Sequence, residues 1–211
     1  MTAALRVTDP QGASSTASVM ITAGNTPPSV TMTSPAAGST WKVGDVISFA
    51  GAATDTQDGT LPAAALSWDL VLQHCPSNCH QHLVSNFAGV SSGSFTAPDH
   101  EYPSYLELRL TATDSGGLTS TVSRRLDPRT VVLSFQTTPG GMQLAVGATQ
   151  SAATCTRTVI VGSRNTVAAI SPQTKGTKSY AFTSWSDGGT QTHDVIAPAT
   201  ATTYTAKFRQ R

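Results

Sequence analysis

The sequence predicts an all-β chain of tandem sandwiches, and three observations carry that prediction. Charged residues fill only 12% of the 211 positions and hydrophobic ones 38%, where an average globular protein carries about 25% charge. The polar remainder is rich in Thr and Ser, which suit the outer face of a strand better than the surface of a helix. Helical periodicity is nearly absent; apolar and polar residues alternate in short runs, separated by turn-forming clusters at the spacing of a β-sandwich.

Taken in order, Leu5 to Ile21 gives two strands around "DPQG". "GNTPPS" follows as a linker whose prolines stiffen the joint and remove backbone donors. "VISFAGAATD", "LSWDLVLQH" and "YLELRLTATD" alternate as half-buried strands do, and so do "TVVLSFQTT", "TRTVIVG" and "TYTAKF". "SPAAGS", "TQDGTLP", "DSGG", "TPGG" and "SDGG" are the turns between strands. "VTDPQGASSTASV" (Val7 to Val19) also repeats as "ATDSGGLTSTVSR" (Ala112 to Arg124). Asp9 matches Asp114 and Gly12 matches Gly117, an offset of about 105 residues, the size of one immunoglobulin-like domain. Three units follow: 1–24, the last strands of a truncated sandwich; 25–127, an immunoglobulin-like sandwich; and 128–211, a smaller β-sandwich. Without a body of their own, the first strands expose unpaired backbone groups. They are expected to pair with an edge of the next sandwich or of another chain.

Several functions are excluded or disfavoured at this stage. A formal net charge of +1 supplies no field to hold a polyanion, so nucleic acid is not a partner. No run of 18 apolar residues spans a membrane. "MTAALRVTDPQG" has neither the basic nor the apolar region of a signal peptide and reads like the middle of a domain.

Asn25 to Asp127 resembles a PKD-type immunoglobulin-like domain of bacterial secreted proteins. The resemblance rests on the Pro-Pro lead-in, "VGD", "ATDTQDG", Trp68 on the third strand and the closing Thr-Asp-x-Gly-Gly. One departure matters: the family's Trp-Asp-Phe-Gly-Asp-Gly turn is replaced by "WDLVLQHCPSNCHQH". In the last unit, "TPGGMQLAVG", "YAFTSWSDGG" and "TYTAKF" resemble short bacterial surface repeats. That tail is also similar to the C-terminal extension of secreted, quinone-dependent glucose/sorbosone dehydrogenases. Together the resemblances imply a secreted or cell-surface bacterial location, with further domains upstream. Nothing in these residues shows the dehydrogenase activity.

The main candidate site is "HCPSNCHQH", His74 to His82, with three of the five histidines and two of the three cysteines. Pro76 and Asn78 favour a turn that lets Cys75 and Cys79 form a disulfide, and a secreted chain lives where such bonds persist. A second reading is zinc or copper, held among His74, Cys75, Cys79, His80 and His82. Against it, neighbours such as His74 and Cys75 point to opposite sides of an extended chain, although His80 and His82 share a face. Free thiols in an ordinary loop are the third reading. His100, in "PDHEYP", is placed to approach this loop and complete a site.

Asp55, Asp58 and Asp114 are calcium candidates, each also explained as the cap of its own turn. Trp41, Tyr102 and Tyr105 are candidates for stacking on a sugar ring. Trp68 and Trp185 are assigned to cores. Cys155 is expected to pack as a small hydrophobe. "GVSSG" (Gly89 to Gly93) matches a nucleophile elbow in letters only, because no helix pattern follows it. The sequence therefore points to non-catalytic extracellular modules that space, dock or weakly bind polysaccharide or a cell-surface protein. No cofactor is required, with calcium or zinc as the ions the side chains offer.

Overall fold

In the computed structural model, residues 1–20, 24–75, 77–151 and 154–211 are described. Ile21, the expected end of the first strand pair, and Pro76 of the cysteine loop lie outside them. Strands β1 (Thr2–Thr8) and β2 (Ser14–Met20) form a hairpin. The next unit holds β3 (Ser29–Ser34), β4 (Thr40–Trp41), β5 (Val46–Asp55), β6 (Gly59–Thr60), β7 (Leu66–His74), β8 (His80–Ala88), β9 (Ser92–Thr96), β10 (Ser104–Thr113) and β11 (Thr119–Pro128). One short 3-10 turn, Ala63–Ala65, precedes β7. The last unit holds β12 (Thr130–Thr138), β13 (Leu144–Val146), β14 (Thr149–Ser151), β15 (Cys155–Ile160) and β16 (Arg164–Ala169). It closes with β17 (Gln173–Lys175), β18 (Lys178–Trp185), β19 (Thr192–Ile196) and β20 (Thr202–Gln210). The chain is all-β, as its alternation predicts.

Two sheets make each sandwich. In the first, order β4-β11-β10-β7-β8 faces β3-β5-β6 with β9 on the other side of β5. In the second, β15-β12-β20-β18-β17 faces β14-β13-β16-β19. The alternation of β10 shows why: Leu106, Leu108, Leu110 and Ala112 are fully buried, while Glu107 and Arg109 pair on the outer face. Trp41, Phe49, Trp68, Leu70 and Leu126 complete that core. Leu133, Phe135, Val167, Trp185 and Ala206 centre the other.

The sandwiches are locked to each other. Only Arg129 separates β11 from β12. Ile160, from β15 of the second sandwich, is fully buried in the core of the first. The Val43 amide donates to the Val161 carbonyl at 3.0 Å, and Arg129 pairs with Asp45 at 2.7 Å. The Arg164 amide reaches Asp99 at 3.0 Å. Gly162 sits at φ +83° where a Cβ would stand 3.2 Å from the Val43 carbonyl oxygen, so no other residue fits this joint without strain.

Of the two partners expected for the terminal hairpin, the edge of the next sandwich is not the one it takes: among the described residues β1 and β2 pair only with each other. Its turn nevertheless repeats the β10–β11 turn closely. Asp9 accepts from the Gln11 and Ala13 amides, Asp114 from the Leu118 amide, and Gly12 and Gly117 both have positive φ. Ala3, Leu5 and Val7 stand opposite Val19, Ala17 and Ser15, giving one face that is apolar but for Ser15. The repeat aligns Leu5 with Leu110 and Val7 with Ala112. In the sandwich those positions are fully buried; in the hairpin Leu5 is 68% and Val7 61% exposed.

Matched positions should therefore respond differently. Leu110→Ala should cost about 2–5 kcal/mol through lost burial and a cavity. Leu5→Ala should stay within about 0.5 kcal/mol. Thermal or urea unfolding of the two variants checks this; equal costs would mean that the hairpin face is covered in solution.

Candidate metal centre

The alternation that sends Trp68, Leu70 and Leu72 of β7 into the core continues to His74, at the strand's end. On β8, His80 lies opposite His74 and His82 opposite Leu72. Opposed residues share a face of the sheet, so all three histidines lie on one side.

A bulge makes this possible. Phe87 and Ser85 oppose Trp68 and Leu70, but Val71 then pairs with Leu83, leaving Val84 as an extra residue. Without it, Leu83 and Gln81 would follow on the core face. With it the phase inverts, because a one-residue shift turns every later side chain over. Gln81 instead sits on the outer face, accepting from Arg109 at 3.3 Å and contacting Gln73.

His100 arrives from the segment between β9 and β10. Its ring lies 4.7 Å from His74 and 6.0 Å from His82, centroid to centroid. His74–His80 and His80–His82 are 5.1 and 4.8 Å apart. One ligand nitrogen from each of His74, His80 and His82 falls within 4.8 Å of the others. His100 Nδ1 donates to the Glu101 carbonyl at 3.1 Å, and His80 Nδ1 points at the Asn78 carbonyl at 3.4 Å. A carbonyl only accepts, so each contact places the proton on Nδ1 and leaves the Nε2 lone pair free. Burial first, then the neighbouring His100 and His80, hold His74 below the ordinary imidazole value of 6.5.

The surroundings fix this end of the sandwich. Cys75 and Cys79 are disulfide-bonded. The Cys75 amide donates to the Pro103 carbonyl at 2.9 Å, tying the cysteine loop to the segment that carries His100. The bond also removes both thiols from the ligand set, leaving imidazoles alone. A cleft of about 810 Å³ opens beside the cluster, with His74 and His100 on one wall and Arg157 and Arg164 of the second sandwich on the other.

The remaining candidates have different uses. Trp41 is corrected from a surface ring to core: it is fully buried, and its indole N–H donates to the Leu126 carbonyl at 2.9 Å. Its place just before the joint is the reason, since β4 is pinned beside the end of β11. Tyr105 carries the Arg125 guanidinium 3.7 Å above its ring, so that face is taken too. Only Tyr102, 44% exposed, keeps a large free surface. Asp55 accepts from the Gln57 and Asp58 amides, Asp58 from the Ser115 amide and hydroxyl, and Asp114 from Asn25 and Leu118. Their carboxylates tie turns together instead of converging.

Trp68 and Trp185 are buried. Cys155 is a free, half-buried thiol against the second core. "GVSSG" wraps Trp68, whose indole N–H donates to the Val90 carbonyl, and a Cβ at Gly93 would strike the Phe49 ring. A strand, not a helix, follows it. The fifth histidine, His193, is in the other sandwich, between Asp187 and the Thr190 carbonyl.

No described protein family matches the sequence, and no curated protein does. Among solved structures, a variant of BcpA, the major pilin subunit of Bacillus cereus, aligns with 98% of this chain and 78% of its own. The identity is 6% and the TM-score 0.31.

A folded His74 that is harder to protonate than an unfolded one works against acid stability. Its contribution is intact above about pH 6.5 and is lost as the pH falls below that value, where the unfolded chain takes up the proton first. NMR titration should show His74 titrating below free imidazole in the metal-free protein. Replacing His100 and His80 with Gln should raise it toward the ordinary value.

Proposed function

We propose that this chain is a non-catalytic, rigid β-sandwich arm of an extracellular protein that spaces or docks other parts of it. The observation that carries this reading is the joint. Ile160 buried in the neighbouring core, a backbone hydrogen bond across the boundary and the glycine-only contact at Gly162 leave little room for hinge motion. Sandwiches joined for flexibility usually meet through a polar linker and a small interface. The Cys75–Cys79 bond supports an oxidising location. No helix among the described residues is long and apolar enough to cross a membrane. Polysaccharide binding loses its main support with Trp41 buried and Tyr105 covered. Docking to a protein surface is the better reading.

The test is the spread of distances between spin labels placed one on each sandwich. The native chain should give a single narrow distribution. Gly162→Val should broaden it and lower the melting temperature, because both its φ and its space exclude a side chain. Acid should act in the same direction. The Lys42 amide and, after it, the Arg129 guanidinium outweigh desolvation and hold Asp45 below 3.8. Its contribution is present above that pH and lost as the pH falls beneath it. A broad distribution in the native chain, or sugar oxidation by the isolated chain, overturns the reading.

A further inference from the structure

We propose that His74, His80 and His82, with His100 as a fourth donor, form a binding site for one borderline divalent transition metal ion, zinc or copper. Four of the chain's five histidines meet at one end of one sandwich, although they come from two strands and a separate loop. A solvated loop has no use for that convergence. Neutral imidazoles close together suit zinc and copper, and calcium and magnesium take oxygen instead.

The approach distances are close to what an ion needs. Zinc holds imidazole nitrogen at about 2.0–2.1 Å, so two ligands of a tetrahedron stand about 3.4 Å apart. Three candidate nitrogens already lie within 4.8 Å of one another. His80 and His82 are exposed, so rotation of their side chains closes the remaining gap without moving the backbone. The Glu101 and Asn78 carbonyls supply the outer contacts that fix the tautomer of a ligating histidine. The disulfide and the Cys75–Pro103 hydrogen bond hold the two loops in place, so little order must be created on binding.

The Val84 bulge gives the strongest argument from geometry. It is the feature that turns His80 and His82 toward His74. The same residues held in an unbulged register would instead send Gln81 and Leu83 to the metal-facing side.

The experiment titrates the full chain, stripped with chelator and kept free of reductant, with zinc sulfate and separately with copper sulfate. Calorimetry should give one ion per chain, with a rise in melting temperature. Copper EPR should show splitting from three or four imidazole nitrogens. His80→Gln and His82→Gln should each weaken binding at least tenfold, and His193→Gln should leave it unchanged. The proposal is overturned by no binding at 100 µM ion, by a copper spectrum with one nitrogen or none, or by equal affinity in the chain lacking His74, His80 and His82.

Discussion

The pleat of β7 ties the core to the candidate site. One face of that strand carries Trp68, Leu70 and Leu72 inward and then His74 at its end. β10 and β8 pair on either side of it, so their registers are set by the same burial. A shift of β7 would expose three core side chains at once, a cost of several kcal/mol, since each large apolar group is worth about 1.5–3 kcal/mol when buried. The position of His74 is therefore as fixed as the core, and the cluster takes its geometry from hydrophobic packing and not from its own weak contacts.

Alternation made the strands legible in the sequence, and it made Trp68 and the β10 leucines legible as core. Thr-Asp-x-x-Gly made the two turns legible, since its Asp and Gly each have one mechanical task. The cysteine bridge followed from spacing and a turn. Trp41 was not legible, because a tryptophan between a glycine-rich turn and "KVG" carries no mark of the second sandwich that closes over its strand. Of the two expected partners of the β1–β2 pair, the edge of the next sandwich is not taken among the described residues. The pair's apolar face is visible in the letters, but its partner is not.

The bulge lies between these cases. "HLVSNFA" breaks strict alternation at Leu83-Val84, where two apolar residues stand side by side. That doubled pair is the signal that phase changes within the strand. Alternation assumed throughout would have put Gln81, not His80, opposite His74. The arginines across the cleft had no signal at all, since their approach depends on how the second sandwich is seated through Ile160.

The parallel pairing of β12 with β20 has a mechanical consequence. These are the first and last strands of the second sandwich, registered from Leu133–Thr202 to Thr138–Lys207. Tension entering at one end of that sandwich and leaving at the other pulls the two strands lengthwise past each other. All the hydrogen bonds between them are then loaded together, in shear, and none can open ahead of the rest as in an unzipping hairpin. Forced rupture is governed by the unfolding barrier rather than by equilibrium stability. A sandwich wired in this way resists pulling far better than its modest core alone would indicate.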